Sequence, residues 1–310
     1  MTTAFLTHSD CLSHHNPKGH PESVARLEAI HQRISAPEFD GLMRIEAPLC
    51  TDEDILLAHP AAHLSAIKAA SPESGFQFID GDTSLSPGSL QAAFRAVGAN
   101  VQAVDMVLSG QVQNAFCATR PPGHHAEQQQ AMGFCFFGNV VIGAKHALER
   151  HGLSRVAIVD FDVHHGNGTQ DLVWDDPRIL FASTHQMPLY PGTGAASETG
   201  ASGNVVNVPL APHADGSDLR DAFAQEILPA LHQHQPEMIF ISAGFDAHAR
   251  DPLANLNFTE EDFAWATRAL CDFARQSCQG RVVSTLEGGY DLQALAASVA
   301  AHVGVLMEQT

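Results

Sequence analysis

The chain has 310 residues, with 16 Lys plus Arg against 35 Asp plus Glu and a formal net charge of -19. So acidic a balance argues against direct nucleic-acid binding, which needs a basic face, and favours cationic partners such as lysine-bearing peptides or polyamines. Six scattered cysteines without a Cys-x-x-Cys pair, no signal-like N-terminus and no apolar run of membrane-spanning length predict a reduced, cytoplasmic protein.

Thr3 to Leu6 reads as an opening strand, followed by a polar loop from His14 to Glu22. A helix is predicted from about Pro21 to Ile34 through the spacing of Val24, Leu27, Ile30 and Ile34. Arg26 lies on it, and on helical position alone it would be a solvated surface residue. Helical spacing returns over Asp52 to Ala70, broken at Pro60, and Phe76 to Gly88 is rich in turn residues. Leu90, Phe94, Val97, Val101, Val104 and Leu108 form one apolar stripe, so Ser89 to Leu108 is a helix that Gly110 stops.

Four apolar strands then run into polar clusters. Ala115 to Ala118 leads into Arg120-Pro121-Pro122-Gly123-His124-His125, and a helix follows from Gly138 to His151. Val156 to Asp160 leads into Phe161-Asp162-Val163-His164-His165-Gly166-Asn167-Gly168. Strands at Arg178 to Ser183 and Val205 to Leu210 flank a long loop, Met187 to Ser202, and Leu219 to Gln235 is helical. Met238 to Ala243 runs into Gly244-Phe245-Asp246, Phe263 to Phe273 is helical, and Arg281 to Leu286 runs into Glu287-Gly288-Gly289-Tyr290. Leu292 to Met307 closes the chain as a helix. Alternating strands and helices without a linker predict one three-layer α/β/α domain spanning residues 1–310, with a mostly parallel sheet and its site at the strands' C-terminal ends.

Asp162 and His164, two apart on an extended segment, face the same side. Alone, such a pair is most often a polar strand-to-helix loop. With Asp246 it supplies two carboxylates and an imidazole, a set that suits Zn²⁺ with a position left open. His124 and His125 on a proline-stiffened loop would then serve as general base and acid, and Tyr290 as donor to a developing oxyanion. Such a set describes metal-assisted amide hydrolysis.

At these motifs, in this order, the chain resembles the zinc-dependent histone deacetylase family, closest to class II and bacterial deacetylase-like amidohydrolases. The resemblance implies the arginase/deacetylase fold and removal of acetyl or other short acyl groups from N-epsilon-acyl-lysine. It implies zinc on Asp162, His164 and Asp246, catalysis by His124, His125 and Tyr290, and support from Asp160 behind His124 and Asn167 behind His125. Asn167 stands where many relatives have Asp, so His125 should be neutral at rest. It also implies a substrate tunnel walled by Phe134 and Tyr190, with Gly133 beside them, Leu253 near the mouth and Arg26 at the foot. A structural K⁺ would use Asp160, Asp162, His164, Ser183 and Thr184.

Three other readings compete. An arginase-like two-metal enzyme would need carboxylates where Gly166 and His248 stand. An acetylpolyamine deacetylase would use the same site with an acid at the mouth; Leu253 is not one, but Asp80 or Asp82 could substitute. A binding module without catalysis would not be expected to keep the whole set from Asp160 to Tyr290.

Overall fold

The structure, a computed structural model, describes residues 2–308, so residue 1 and residues 309–310 of the expected domain lie outside it. In chain order the strands are β1 (Thr3–Thr7), β2 (Met43–Glu46), β3 (Gln77–Phe78), β4 (Ser84–Leu85), β5 (Asn114–Cys117), β6 (Val156–Asp160), β7 (Ile179–Gln186), β8 (Val205–Leu210), β9 (Ile239–Ala243) and β10 (Val282–Leu286). The helices are α1 (Val24–Ile34), α2 (Asp52–Ile55), α3 (Ala61–Ala70), α4 (Ser89–Leu108), α5 (Asn139–His151), α6 (Asn167–Val173), α7 (Gly216–Ala222), α8 (Leu228–His234), α9 (Glu260–Ser277) and α10 (Leu292–Glu308).

Eight strands form one sheet in the order β2-β1-β5-β10-β9-β6-β7-β8, and every pairing in it is parallel. Among the described strands, only the short β3–β4 hairpin is antiparallel. The inner strands are mostly apolar on both faces because both faces are covered. All five residues of β6 are buried, yet they alternate between two cores: Ala157 and Val159 pack with residues of α1, α9 and α10, while Val156 and Ile158 pack with those of α3, α4 and α5. That alternation is the three-layer arrangement expressed in side chains.

Several boundaries differ from the periodicity. The first helix begins at Val24, since Ser23 is extended (φ -135, ψ 159) and Pro21 and Glu22 belong to the preceding loop. The helices expected from Leu219 and Phe263 start earlier, at Gly216 and Glu260, because Asp215 with Asp218 and Thr259 with Asp262 form capping boxes. The strand after Arg178 continues to Gln186 and carries His185 into the sheet. The apolar periodicity did not announce β2, the β3–β4 hairpin or α6.

Parallel crossovers place the C-terminal ends of β5, β6, β9 and β10, neighbours in the sheet order, on one rim. All four polar clusters emerge there.

Candidate active site

The centre of the rim is a knot of buried charge. His164 Nδ1 lies 3.1 Å from Asp162 Oδ1 and 3.1 Å from Asp246 Oδ2. One donor atom from each of these three buried residues lies within 4.8 Å of the others. The backbone of opposing loops holds the carboxylates: Val163 N donates to Asp246 Oδ1 at 2.9 Å and Gly288 N to Asp162 Oδ2 at 2.8 Å. A Cβ on Gly244 would fall onto the Asp162 carboxylate, and one on Gly288 onto that of Asp246. These two glycines are therefore required by how closely the chain approaches the ligand oxygens.

This donor set fits a zinc ion. Two carboxylates draw a cation strongly: burial opposes protonation of His164, but Asp162 and Asp246 outweigh it and raise its pKa to about 10. A metal in the same place would feel the same pull. Asp162, His164 and Asp246 are the residues that would hold it.

The two histidines of the doublet differ in charge. His124 Nδ1 donates to Asp160 Oδ2 at 3.0 Å; burial works against its charge, but Asp162 and Asp160 overcome that and hold its pKa well above the usual value. His125 is held well below it, first by burial and then by the charges of His124 and His164. The bond to Asn167 acts in the opposite sense, so its neutrality owes less to the neutral Asn than the resemblance suggested. Asn167 Nδ2 donates to Glu127 Oε1 at 2.8 Å, so its Oδ1 faces His125 Nδ1 at 2.7 Å and accepts that N–H. The lone pair of His125 is thereby left on Nε2.

A channel of about 370 Å³ reaches this centre, lined by His125, Gly133, Phe134, His164, Tyr190, Leu253 and Tyr290, and also by His20, Pro21, Asp82 and Leu189. Tyr190 stands edge-on to His125 with ring centroids 5.2 Å apart, and Phe134 stands edge-on to Tyr290 at 6.1 Å. Phe134 holds φ 69, a left-handed conformation that costs a side-chain-bearing residue about 1–3 kcal/mol and recurs at ligand sites. Burial keeps the Tyr290 phenol well above its ordinary pKa, with Arg26 opposing and Asp246 and Asp162 adding to the rise. Tyr290 is thus a proton donor at neutral pH.

Arg26 is fully buried, contrary to the surface position its place in the sequence suggests. Its guanidinium donates to Gly289 O at 2.6 Å and to Glu287 O at 2.5 Å, and its Cζ lies 4.9 Å from the Tyr290 ring centroid. It braces the turn that carries Tyr290. Glu22, also fully buried, pairs with Arg26 at 3.2 Å, with both nitrogens of the Arg120 fork, and with His14 Nε2 at 3.4 Å. Glu287 accepts from Gly123 N at 2.7 Å and His124 N at 3.2 Å, which sets the doublet's backbone. Glu22, Arg120, Glu127 and Glu287 are site residues that the sequence did not single out; the Glu22–Arg120 pair spans 98 positions, and Glu287 reaches Gly123 and His124 across 164 and 163 positions.

Of the residues expected around K⁺, Asp160 pairs in register with Ser183 across β6 and β7, Asp160 Oδ1 accepts from Asp162 N at 3.0 Å, and Thr184 Oγ1 is buried without a partner among the described residues.

Fold and site together define a hydrolase of three-layer α/β/α architecture, with a channel leading to a metal-type donor set and a histidine doublet. A family model described as the histone deacetylase domain matches residues 20–306, and the chain belongs to the histone deacetylase family. It is 40% identical over 306 residues to histone deacetylase 14, chloroplastic, of Arabidopsis thaliana, covering 92% of this chain and 72% of that one. It is 38% identical over 277 residues to the histone deacetylase-like amidohydrolase of Pseudomonas aeruginosa, covering 88% and 73%. The crystal structure of the HDA15 HD domain superposes with a TM-score of 0.94 at 34% identity, covering 99% of this chain and 88% of that one. The family is zinc-dependent, and the chain is a deacetylase-type hydrolase.

Proposed function

We propose that the chain, acting as one catalytic domain, removes acetyl or other short acyl groups from the N-epsilon nitrogen of lysine side chains. The observation that carries this reading is the buried trio Asp162, His164 and Asp246 at the foot of an aromatic-walled channel, beside a neutral His125 whose free Nε2 belongs to a channel-lining ring. Asp162, His164 and Asp246 would hold a zinc ion, which would supply Lewis acidity toward the carbonyl and lower the pKa of water enough for its deprotonated form to attack near neutral pH. His125 Nε2 takes a proton from the attacking water and later passes it to the leaving lysine nitrogen. Charged His124, held by Asp160, stabilises negative charge gathering beside the doublet. The Tyr290 phenol donates to the developing oxyanion, and Arg26 keeps its turn in place. Phe134 and Tyr190 grip the aliphatic stem of the lysine, with Gly133 leaving room beside His125 and Leu253 shaping the mouth.

K⁺ held around Asp160, Asp162, His164, Ser183 and Thr184 would tie β6 to β7; the unpartnered Thr184 Oγ1 supports this. A reducing, cytoplasmic location is consistent with six free, buried cysteines, and no helix among the described residues is long and apolar enough to cross a membrane. A second reading, an acetylpolyamine substrate, draws support from Asp82, an acid that lines the channel. The test is kcat/KM on acetyl-lysine peptides against acetylated polyamines, with and without chelator. Preference for the peptides supports acyl-lysine, preference for polyamines the second reading. Chelator-insensitive turnover, or none on either, refutes zinc deacylation.

A further inference from the structure

Asp105, His146 and His151 lie near the C-terminal ends of α4 and α5, two helices that pack on each other. Helices of a parallel α/β sheet run opposite to its strands, so this is the face away from the channel. His146 Nε2 lies 2.8 Å and His151 Nε2 2.7 Å from the same oxygen, Asp105 Oδ1. One donor atom from each of the three lies within 4.8 Å of the others.

Two separate observations direct this cluster at a cation. The first is electrostatic. Asp105 sits in the last turn of α4, which carries no basic residue there, and α5 ends beside it. Helix C-termini carry partial negative charge, so a carboxylate in this place is repelled rather than stabilised. Among the described residues its only ion-pair partners are the two histidines; no Lys or Arg reaches it. The second concerns His146, whose side chain is only 10% exposed. Among the described residues the ring makes one hydrogen bond, from Nε2 to Asp105, so its polar edge is committed to this cluster.

We propose that Asp105, His146 and His151 form a second metal site of the zinc class, independent of the catalytic centre. Two imidazoles and a carboxylate suit Zn²⁺, Co²⁺ or Ni²⁺, whereas Ca²⁺ and Mg²⁺ need oxygen ligands. The ion would staple α4 to α5 where each helix hands over to a strand, β5 and β6 respectively. An ordinary surface carboxylate bridging two histidines is the alternative.

Calorimetric titration of the metal-free chain with Zn²⁺, in excess Mg²⁺ to occupy oxygen-only surface sites, separates them. The native chain should take up two zinc ions, and His151→Ala or Asp105→Asn one, with turnover unchanged. Asp246→Asn, which disables the catalytic trio, should keep one ion and lose it when combined with His151→Ala. A native chain that takes up a single ion, or a His151→Ala chain that still takes up two, overturns the proposal. Both surface positions are at least partly exposed, so unchanged turnover and circular dichroism identify a folded variant. Because uptake at the far face is read without substrate, a failed deacylation assay would leave the result intact.

Discussion

Glu22→Gln is the most incisive single change to the site's foundations. In the native chain Glu22 faces two fully buried guanidinium groups, Arg26 and Arg120, and Arg120 grips both its oxygens. Burial alone would raise the pKa of Glu22, but Arg120 and the bond to His14 reverse this and hold it well below the usual carboxylate range. Gln is nearly the same size and removes only the charge, leaving two cations buried around a neutral group. Breaking a buried ion pair in this way costs about 3–5 kcal/mol. In a chain this large each kcal/mol lowers the melting temperature by roughly 2 °C, so a fall of about 8 °C is expected. Because the native pKa lies below that of the unfolded chain, the contribution is complete above about pH 5 and is lost as pH falls through the native value. The gap between native and Glu22→Gln in urea or thermal melts should therefore be constant from pH 5 upward and close in acid. A gap below about 1 kcal/mol at pH 7, or one that widens in acid, would refute the electrostatic account.

Tyr290→Phe should leave zinc uptake intact and lower kcat by about 10²–10³ on an acetyl-lysine peptide; unchanged kcat would remove the phenol from the mechanism. His302, buried between Thr267 and Ser284, has its pKa pushed down by burial to about 3. The unfolded chain takes up that proton near pH 6.5 and the native chain does not, so stability should fall in acid. Between pH 7 and pH 5 this amounts to about 2 kcal/mol, absent in His302→Asn and measurable by urea melts. Chelation should abolish turnover and lower the melting temperature, since Asp162 and Asp246 stay buried with less counter-charge; Zn²⁺ but not Mg²⁺ should restore both.

What could be read from the sequence followed local rules. Val156–Asp160 and Ile239–Ala243 were legible as mostly apolar strands running into polar clusters, and Ser89–Leu108 as a stripe stopped by Gly110. β2 was not: Met43, Arg44, Ile45 and Glu46 form an edge strand with mostly exposed side chains, so no core imprints a pattern on them. The starts of α7 and α9 were readable in principle, because Asp215 with Asp218 and Thr259 with Asp262 are capping signals rather than apolar ones. In the site, Asp162, His164 and Asp246 stood out because each follows a strand that ends on the rim. The Glu22–Arg120 pair spans 98 positions, and a buried charge pair at that range leaves no periodic trace.

The crossed amide bonds from Val163 to Asp246 and from Gly288 to Asp162 bear on how the centre is supplied. Each acid is steered by main chain from a neighbouring loop rather than by the ion it would clasp. Such a socket keeps its form when drained, so the cation can be swapped in a finished protein without unravelling it, as a plug is changed in a rigid fitting.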